Sequence, residues 1–450
     1  MNQLHVGFGR VNITPAMGTP IGGYYVVRLA EKVLDELEAN AVAFAMGDKK
    51  ALLISADISG LFYQFAEPLC QHISKETGVP ADCIFITCTH THTGPEVNLN
   101  RKILPEKQEA YFPFFCSRLV DAARFALQDL KPARMGWGVG QAPGIAFVRR
   151  FRMKDGSTRT NPGINNPDVL APIGDVDERV GVLRFDREGG ETIVLANIGI
   201  HPDTVGGCVI SGDWPAFTRR ILEKTIDNTR CVLLNGCQGD VNHVNTNPAP
   251  GQNNDLTMDF DDCMRGYGHA KHMGMTVAGA VMQVFSKVAY IPVESMTAMK
   301  RMLVHPSNMP KPEELPEAHR INDLHKAGKD SELPYEGMLL TTIVAEAERM
   351  VDLENGPEKF DLSMGALTLG DVALVGIPGE PFTEIGVRIK DTEGWKQIMP
   401  VCLTNGCEGY FPSPEAYAAG GYESRSSNFR PHVSVKIVEG CKELLKEMQA

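Results

Sequence analysis

Two histidines, a carboxylate and a tyrosine stand where apolar runs of this chain give way to turns, and any chemistry starts from that placement. The run Thr87-Cys88-Thr89-His90-Thr91-His92-Thr93-Gly94-Pro95 follows the apolar Cys83-Ile84-Phe85-Ile86 and ends on a Gly-Pro breaker. If the strand ends at His90, the backbone turns and both imidazoles can reach one site. Such carboxyl ends of buried strands are where α/β folds bind ligands. A polar strand tip with solvated or capping histidines is the plainer alternative. Three further apolar runs end in the same way: Ala196–Ile200 at His201, Leu374–Gly379 at Glu380, and Val401–Thr404 ahead of Tyr410. Two imidazoles, a carboxylate and one further oxygen make a reasonable zinc set. Zinc held with a position open lowers the pKa of its water to about 7 and supplies hydroxide. Each member also has a structural reading. Glu380 could be a first-turn acid of the helix that follows, and Tyr410 a buried ring with a satisfied hydroxyl. Asp57, ending an early apolar strand, could orient a ligand imidazole or cap a helix.

The elements that must position these residues alternate. Residues 4–13 and 41–58 read as strands, and Gly18, Pro20, Gly22 and Gly23 make a loop between them that could lie against a pocket. Helices are expected over 62–77 and about 106–130, the second closed by Lys131-Pro132. Residues 141–179 break the rhythm; with Arg149, Arg150, Arg152 and several Asn-Pro turns they suit a substrate-covering loop or a solvated excursion. Val180–Phe185 and Thr192–Ile200 read as paired strands, followed by a helix at about 214–228 and the strand Cys231–Leu234. Beyond Asn235-Gly236-Cys237-Gln238-Gly239-Asp240-Val241-Asn242-His243 come a polar loop over 246–262 and a helix over about 266–287. A charged helical pair over 312–354 forms an excursion at about 305–356. Strands at 363–369, 372–377 and 398–404 and a helix at about 432–448 finish the chain. This alternation predicts an α/β fold: one large domain over residues 1–450, with a mixed β-sheet core flanked by helices and the metal site at strand ends.

The formal net charge of −12 over 450 residues argues against nucleic acid or an anionic membrane as a partner. No apolar stretch approaches the roughly 18 residues of a transmembrane segment. The first residues enter a strand without the basic and apolar regions of a secretion signal. Eleven scattered cysteines with no C-x-x-C pair fit a reducing compartment, so a cytoplasmic location and a small-molecule substrate are expected. The oligomeric state is left open.

In order, Gly7-Phe8-Gly9-Arg10-Val11-Asn12-Ile13-Thr14-Pro15, Thr89-His90-Thr91-His92-Thr93-Gly94-Pro95, His201 before Ser211-Gly212-Asp213, Asn235…Gly239-Asp240-Val241, Pro378-Gly379-Glu380, and Gly409-Tyr410 with Tyr422-Glu423 resemble motifs of the neutral, non-lysosomal ceramidase family. The resemblance spans nearly the whole chain, most loosely over 245–360. It implies that His90, His201, Glu380 and Tyr410 bind one zinc ion per chain, the same four strand ends singled out above. It also implies that His92 sits beside the metal as an orienting or proton-transfer group. Arg149, with Arg150 as the alternative, falls at an active-site arginine, and Tyr422 at a tyrosine that donates to the oxyanion.

Two departures redirect the expectation. The family's Ser after Gly-Asp-Val is Asn242 here, followed by His243, and an amide cannot be a hydroxyl nucleophile. Asn242 could orient the substrate carbonyl or be a turn residue with local backbone bonds; His243 could add a proton donor that faces substrate. The chain also has no room for the family's C-terminal β-sandwich. A zinc-dependent hydrolase is therefore expected, cleaving an amide or an ester of a small soluble polar molecule through metal-bound hydroxide. A ceramide-type lipid amidase and a metal-containing binding protein without turnover are the alternatives.

Overall fold

Apolar strands rich in Val, Ile, Leu and Ala need cover on both faces, and in the computed structural model they find it in four layers. The structure describes residues 3–101, 103–248, 258–260 and 263–449. Most of the polar loop expected over 246–262, like the first two residues of the chain, lies outside the described residues. The larger sheet runs in spatial order Thr229–Asn235, Thr192–Ile198, Arg179–Arg187, Lys131–Gln141, His5–Asn12, Glu38–Met46, Lys49–Ala56 and Ile84–Cys88. Ala289–Ile291 pairs beside Lys131–Gln141. The middle of this sheet is antiparallel, and each end is a parallel pair. The smaller sheet orders Met296–Pro306, Lys359–Leu369, Val372–Gly376 and Gln397–Val401.

The two sheets share one core, to which Phe44, Leu53, Phe85, Leu195 and Val232 come from the larger and Leu367, Leu374 and Met399 from the smaller. Helices cover the outer faces. Tyr63–Thr77 and Pro105–Gln128 pack on one half of the larger sheet, Asp213–Thr225 and Tyr267–Phe285 on the other. Thr383–Lys390 and Val433–Glu447 pack on the smaller sheet. The result is a mixed α/β single domain, as the alternation of elements implies. Among the described residues no helix is long and apolar enough to cross a membrane.

The glycines of the opening motif are packing residues. A Cβ on Gly7 would lie 2.0 Å from the Ala126 carbonyl oxygen, and one on Gly9 2.3 Å from that of Ala122. Their absence lets the Pro105–Gln128 helix rest directly on the first strand. The apolar run expected as one strand over 41–58 is instead a hairpin, Glu38–Met46 and Lys49–Ala56, turning at Gly47 with φ +64°. The exposed Gly47-Asp48-Lys49-Lys50 divides the run and marks the turn. Residues 141–179 carry a three-stranded sheet, Val169–Pro172, Arg150–Met153 and Thr158–Thr160, whose strands are too short to show alternation. The expected excursion is a hairpin of two helices, Leu315–Lys326 and Gly337–Glu354.

One buried ion pair ties the layers together next to the strand ends. Asp57, just past Lys49–Ala56, receives Arg219 of the Asp213–Thr225 helix through two bonds of 3.0 and 2.5 Å, and both residues are at most 2 % exposed. Removing one partner of such a pair strands the other charge in the core, at a cost of about 3–5 kcal/mol. Arg219→Met should therefore lower the unfolding free energy by that amount in urea titrations; a loss under about 1 kcal/mol, the range of a surface pair, would count against it.

Candidate metal centre

The Ile84–Cys88 strand stops two residues short of His90, and His90 itself adopts the left-handed backbone region at φ +74°. A non-glycine residue holds that conformation at a cost of about 1–3 kcal/mol, and such positions cluster at functional sites. The turn swings His92 round so that both rings face His201, at the exit of Thr192–Ile198. His90 Nε2 lies 3.1 Å from His201 Nε2 and 3.2 Å from His92 Nε2, with the ring planes at 76° and 89°. Glu380 Oε2 stands 3.3 Å from both His90 Nε2 and His201 Nε2. Glu380 and Tyr410 are register partners on two short parallel strands, and the Tyr410 ring stacks on His201 with centroids 6.4 Å apart. All five side chains are at most 8 % exposed.

Backbone carbonyls set the chemistry of these rings. His90 Nδ1 bonds the Ser59 carbonyl, and His201 Nδ1 bonds that of Gln238 at 3.1 Å. A carbonyl only accepts, so each Nδ1 carries the proton and each Nε2 of the neutral ring presents a lone pair. Two lone pairs 3.1 Å apart, with a buried Glu380 Oε2 that has no hydrogen-bond partner close to both, repel one another unless a cation or a proton sits between them. That donor set, its rings already oriented by second partners, fits a divalent metal. His90, His92 and His201 form the one group of three or more histidine, cysteine or acidic ligands found close enough to hold an ion among the described residues.

Electrostatics favour neutral imidazoles at two of the three positions. Burial pushes His92 down to about 3 against the pull of Asp203. Burial, Arg149 and the two neighbouring rings hold His201 well below 6.5. For His90 burial acts in the same direction, but Glu380 outweighs it and raises the ring. The Glu380 carboxyl is lowered, burial notwithstanding, by His90. His90 and Glu380 thus favour each other's charged forms, while burial disfavours the charged forms of the other two rings.

A second ring of residues frames the centre. His92 Nδ1 faces Asp203 Oδ1 at 3.6 Å, and Asp203 is held by Tyr24 and, at 3.1 Å, by Arg265. Arg149 donates to Glu423 at 2.7 Å and to the Gly239 carbonyl at 2.6 Å; its guanidinium lies 5.4 Å from the Tyr410 ring centre and 5.9 Å from that of Tyr422. Burial and Glu380 push the Tyr410 phenol well above 10, and Arg149 opposes them. Arg150 is engaged by the Gly420 carbonyl at 2.9 Å and lies 3.6 Å from Glu423, so it braces the segment that carries Tyr422. The Asn242 Oδ1 accepts from Val244 N at 3.0 Å, and its Nδ2 donates to Asn161 at 3.2 Å. Asp57 reaches the site at one remove. It accepts from the Thr89 hydroxyl at 3.2 Å, next to His90, while the imidazole itself is oriented by Ser59.

Tyr24, Tyr25, Asp203 and Glu423 are contributors that the residue pattern left without a role. The available signals were an aromatic pair directly after Gly22-Gly23, an acid two residues beyond His201, and an acid beside Tyr422.

Four α/β layers with the candidate site at the strand ends make a fold that resembles those of solved ceramidases. No family model matches the chain, and no curated protein does. Among solved structures it is similar to neutral ceramidase from Pseudomonas aeruginosa, with a TM-score of 0.74 and 16 % identity over 100 % of this chain and 75 % of that one. It is equally similar to a ceramidase complexed with C2, with a TM-score of 0.74 and 16 % identity over 100 % and 76 % of the two chains. At that identity the likeness is one of fold.

His243 supplies a test of the buried electrostatics. It is fully buried with neither ring nitrogen partnered, and burial, followed by Arg265, holds it well below 6.5. Unfolding restores the ordinary value of about 6.5, so below that pH the unfolded chain binds a proton that the fold refuses and stability is lost. His243→Leu removes this term. Its melting temperature relative to wild type should rise as pH falls from 7 to 5, and a constant difference would contradict a buried neutral imidazole.

Proposed function

We propose that the chain is a metal-dependent hydrolase that cleaves an amide, or an ester, of a small polar substrate. Zinc, one ion per chain, is the metal, and His90, His201, Glu380 and Tyr410 are its ligands. The observation that carries this is the convergence of two Nε2 lone pairs and an unpaired buried carboxylate oxygen. Similarity in fold to a neutral ceramidase and to a ceramidase complexed with C2 supports the hydrolase class. When bound, a divalent ion supplies Lewis acidity toward a carbonyl and lowers the pKa of water.

The chain's own groups do the rest. His92, with Asp203 behind it at 3.6 Å, is the orienting or proton-transfer group beside the metal. Arg149 is fixed by Glu423 and Gly239 before substrate arrives, so it meets charge developing on the carbonyl oxygen without reorganising. Tyr422 donates to the same oxygen. Asn242, whose amide is occupied locally, leaves water as the attacking group rather than a side chain. His243 and Arg150 are the proposed substrate contacts: both ring nitrogens of His243 are unpartnered, and Arg150 holds the Gly420 carbonyl. The cysteines among the described residues are all free, in keeping with the proposed cytoplasmic setting.

Metal analysis after zinc-replete preparation tests the centre. Wild type should hold a stoichiometric ion and His90→Ala should lose it, whereas His92→Ala should keep most of the metal and lose rate; equal metal loss in both would overturn the division between them. Tyr422→Phe should keep its zinc and lose about 10²–10³ in kcat, the usual effect of removing one oxyanion donor. Hydrolysis of N-acyl amino sugars compared with a short-chain fluorescent ceramide decides the substrate class, and turnover of the ceramide alone would replace the polar reading with the lipid one.

A further inference from the structure

The helical hairpin has a small apolar core of its own, built on Ala318, Ile321, Leu333, Ile343, Val344 and Ala347. Among the described residues, Tyr25 is the hydrophobic side chain packed into that core from outside the hairpin. His325 of the first helix secures it, with Nε2 at 3.1 Å from the Tyr25 carbonyl and Nδ1 at 2.9 Å from Asp330. At its other end Tyr25 reaches the candidate active site. Its hydroxyl lies 3.4 Å from that of Tyr422, with the two rings edge to face at 88°, and Tyr422 in turn meets Tyr410 edge to face at 5.5 Å. The loop that delivers it is pressed onto the histidines. Gly23 has φ +100° and its Cβ would lie 2.8 Å from His92 Cγ, while the Tyr24 ring contacts His92 edge to face at 5.4 Å.

The centre therefore has two unlike walls. One is charged and polar, made by Asp203, Arg265 and the buried His243. The other is aromatic, running from Tyr410 through Tyr422 to Tyr25 and closed behind by the hairpin. In an amide with a polar amine, the amine belongs against the first wall and the acyl group against the second. We propose that Tyr25, backed by the hairpin, is the specificity-determining residue that closes the acyl side of the site, so that the substrate is a short-chain, acetyl-sized N-acyl compound and long acyl chains are excluded. The identity of the acyl group rests on the hydrolase reading; the wall does not.

Two hydroxamates, acetohydroxamate and octanohydroxamate, test this on zinc-loaded protein by calorimetry, since each presents an acyl chain on a metal-chelating head. N-acetyl- and N-octanoyl-ethanolamine give the parallel comparison by turnover. Wild type should favour the acetyl member of each pair by about tenfold or more, the discrimination a closed pocket achieves against extra methylenes. Tyr25→Ala should shrink or reverse the preference and Tyr25→Phe, which keeps the ring, should retain it. Tyr25→Leu replaces the alanine variant if thermal melts show that Tyr25→Ala does not fold. Equal or longer-chain preference in wild type, or a Tyr25→Ala effect that is the same for both chain lengths, overturns the proposal. Length discrimination in binding without any amide turnover keeps the wall and retires the hydrolase reading, whereas failure of both hydroxamates to bind overturns both.

Discussion

The structure depends most on two backbone carbonyls. Ser59 and Gln238 each take the Nδ1 proton of a buried imidazole, and that choice of tautomer turns the other nitrogens of His90 and His201 toward one another. Nothing in a side chain alone would make two lone pairs share a space 3.1 Å wide. A buried acceptor facing another acceptor costs free energy comparable to a lost hydrogen bond, so the fold carries a standing deficit at this point. A cation relieves it, which is why the geometry reads as a binding site rather than as core. The left-handed turn at His90 brings the His92 ring round to the same spot, and the register of Glu380 with Tyr410 sets that carboxylate and that ring beside His201.

Much of this was legible because the candidate ligands are polar residues that interrupt apolar runs. His90, His201 and Glu380 stand out against the strands that precede them, and their convergence follows once those strands sit in two sheets sharing a core. Strand order was not legible. The parallel pairs at the two ends of the larger sheet are the strand–helix–strand units that the alternation implies, but the pairing of Lys131–Gln141 with His5–Asn12 joins segments that nothing in the local pattern connects. The hairpin at Gly47 does carry a signal, since the exposed Gly47-Asp48-Lys49-Lys50 interrupts the apolar run, but reading 41–58 as one strand passes over it. Tyr25 was opaque for a different reason. Its partners lie some 300 residues away in the hairpin and some 400 away at Tyr422, and local sequence carries no trace of such contacts.

Asn242 and Arg150 are both buried beside the site, and the bonds they make are to the backbone and to neighbouring side chains. Arg149, one residue earlier, lies over the tyrosines. Arg149 occupies the gap between Phe147–Val148 and Arg150–Met153, so a shift of one residue exchanges a guanidinium beside Tyr410 and Tyr422 for one held by the Gly420 carbonyl.

The amide of Asn235, at the end of the strand next to the His201 strand, has a consequence for how the protein comes to be. Its Nδ2 donates to the Thr89 carbonyl at 3.1 Å and its Oδ1 accepts from Ile200 N at 3.3 Å, so one side chain gauges the distance between the two histidine loops. Those loops leave opposite ends of the larger sheet and are separated by over a hundred residues of chain. The gauge can close only after the intervening strands have paired and the sheet has curled until its ends meet. Contacts of such long range are among the last to be repaid during folding. Affinity for metal would then appear late, as a property of the finished sheet, and half-folded chains would leave the ion in solution.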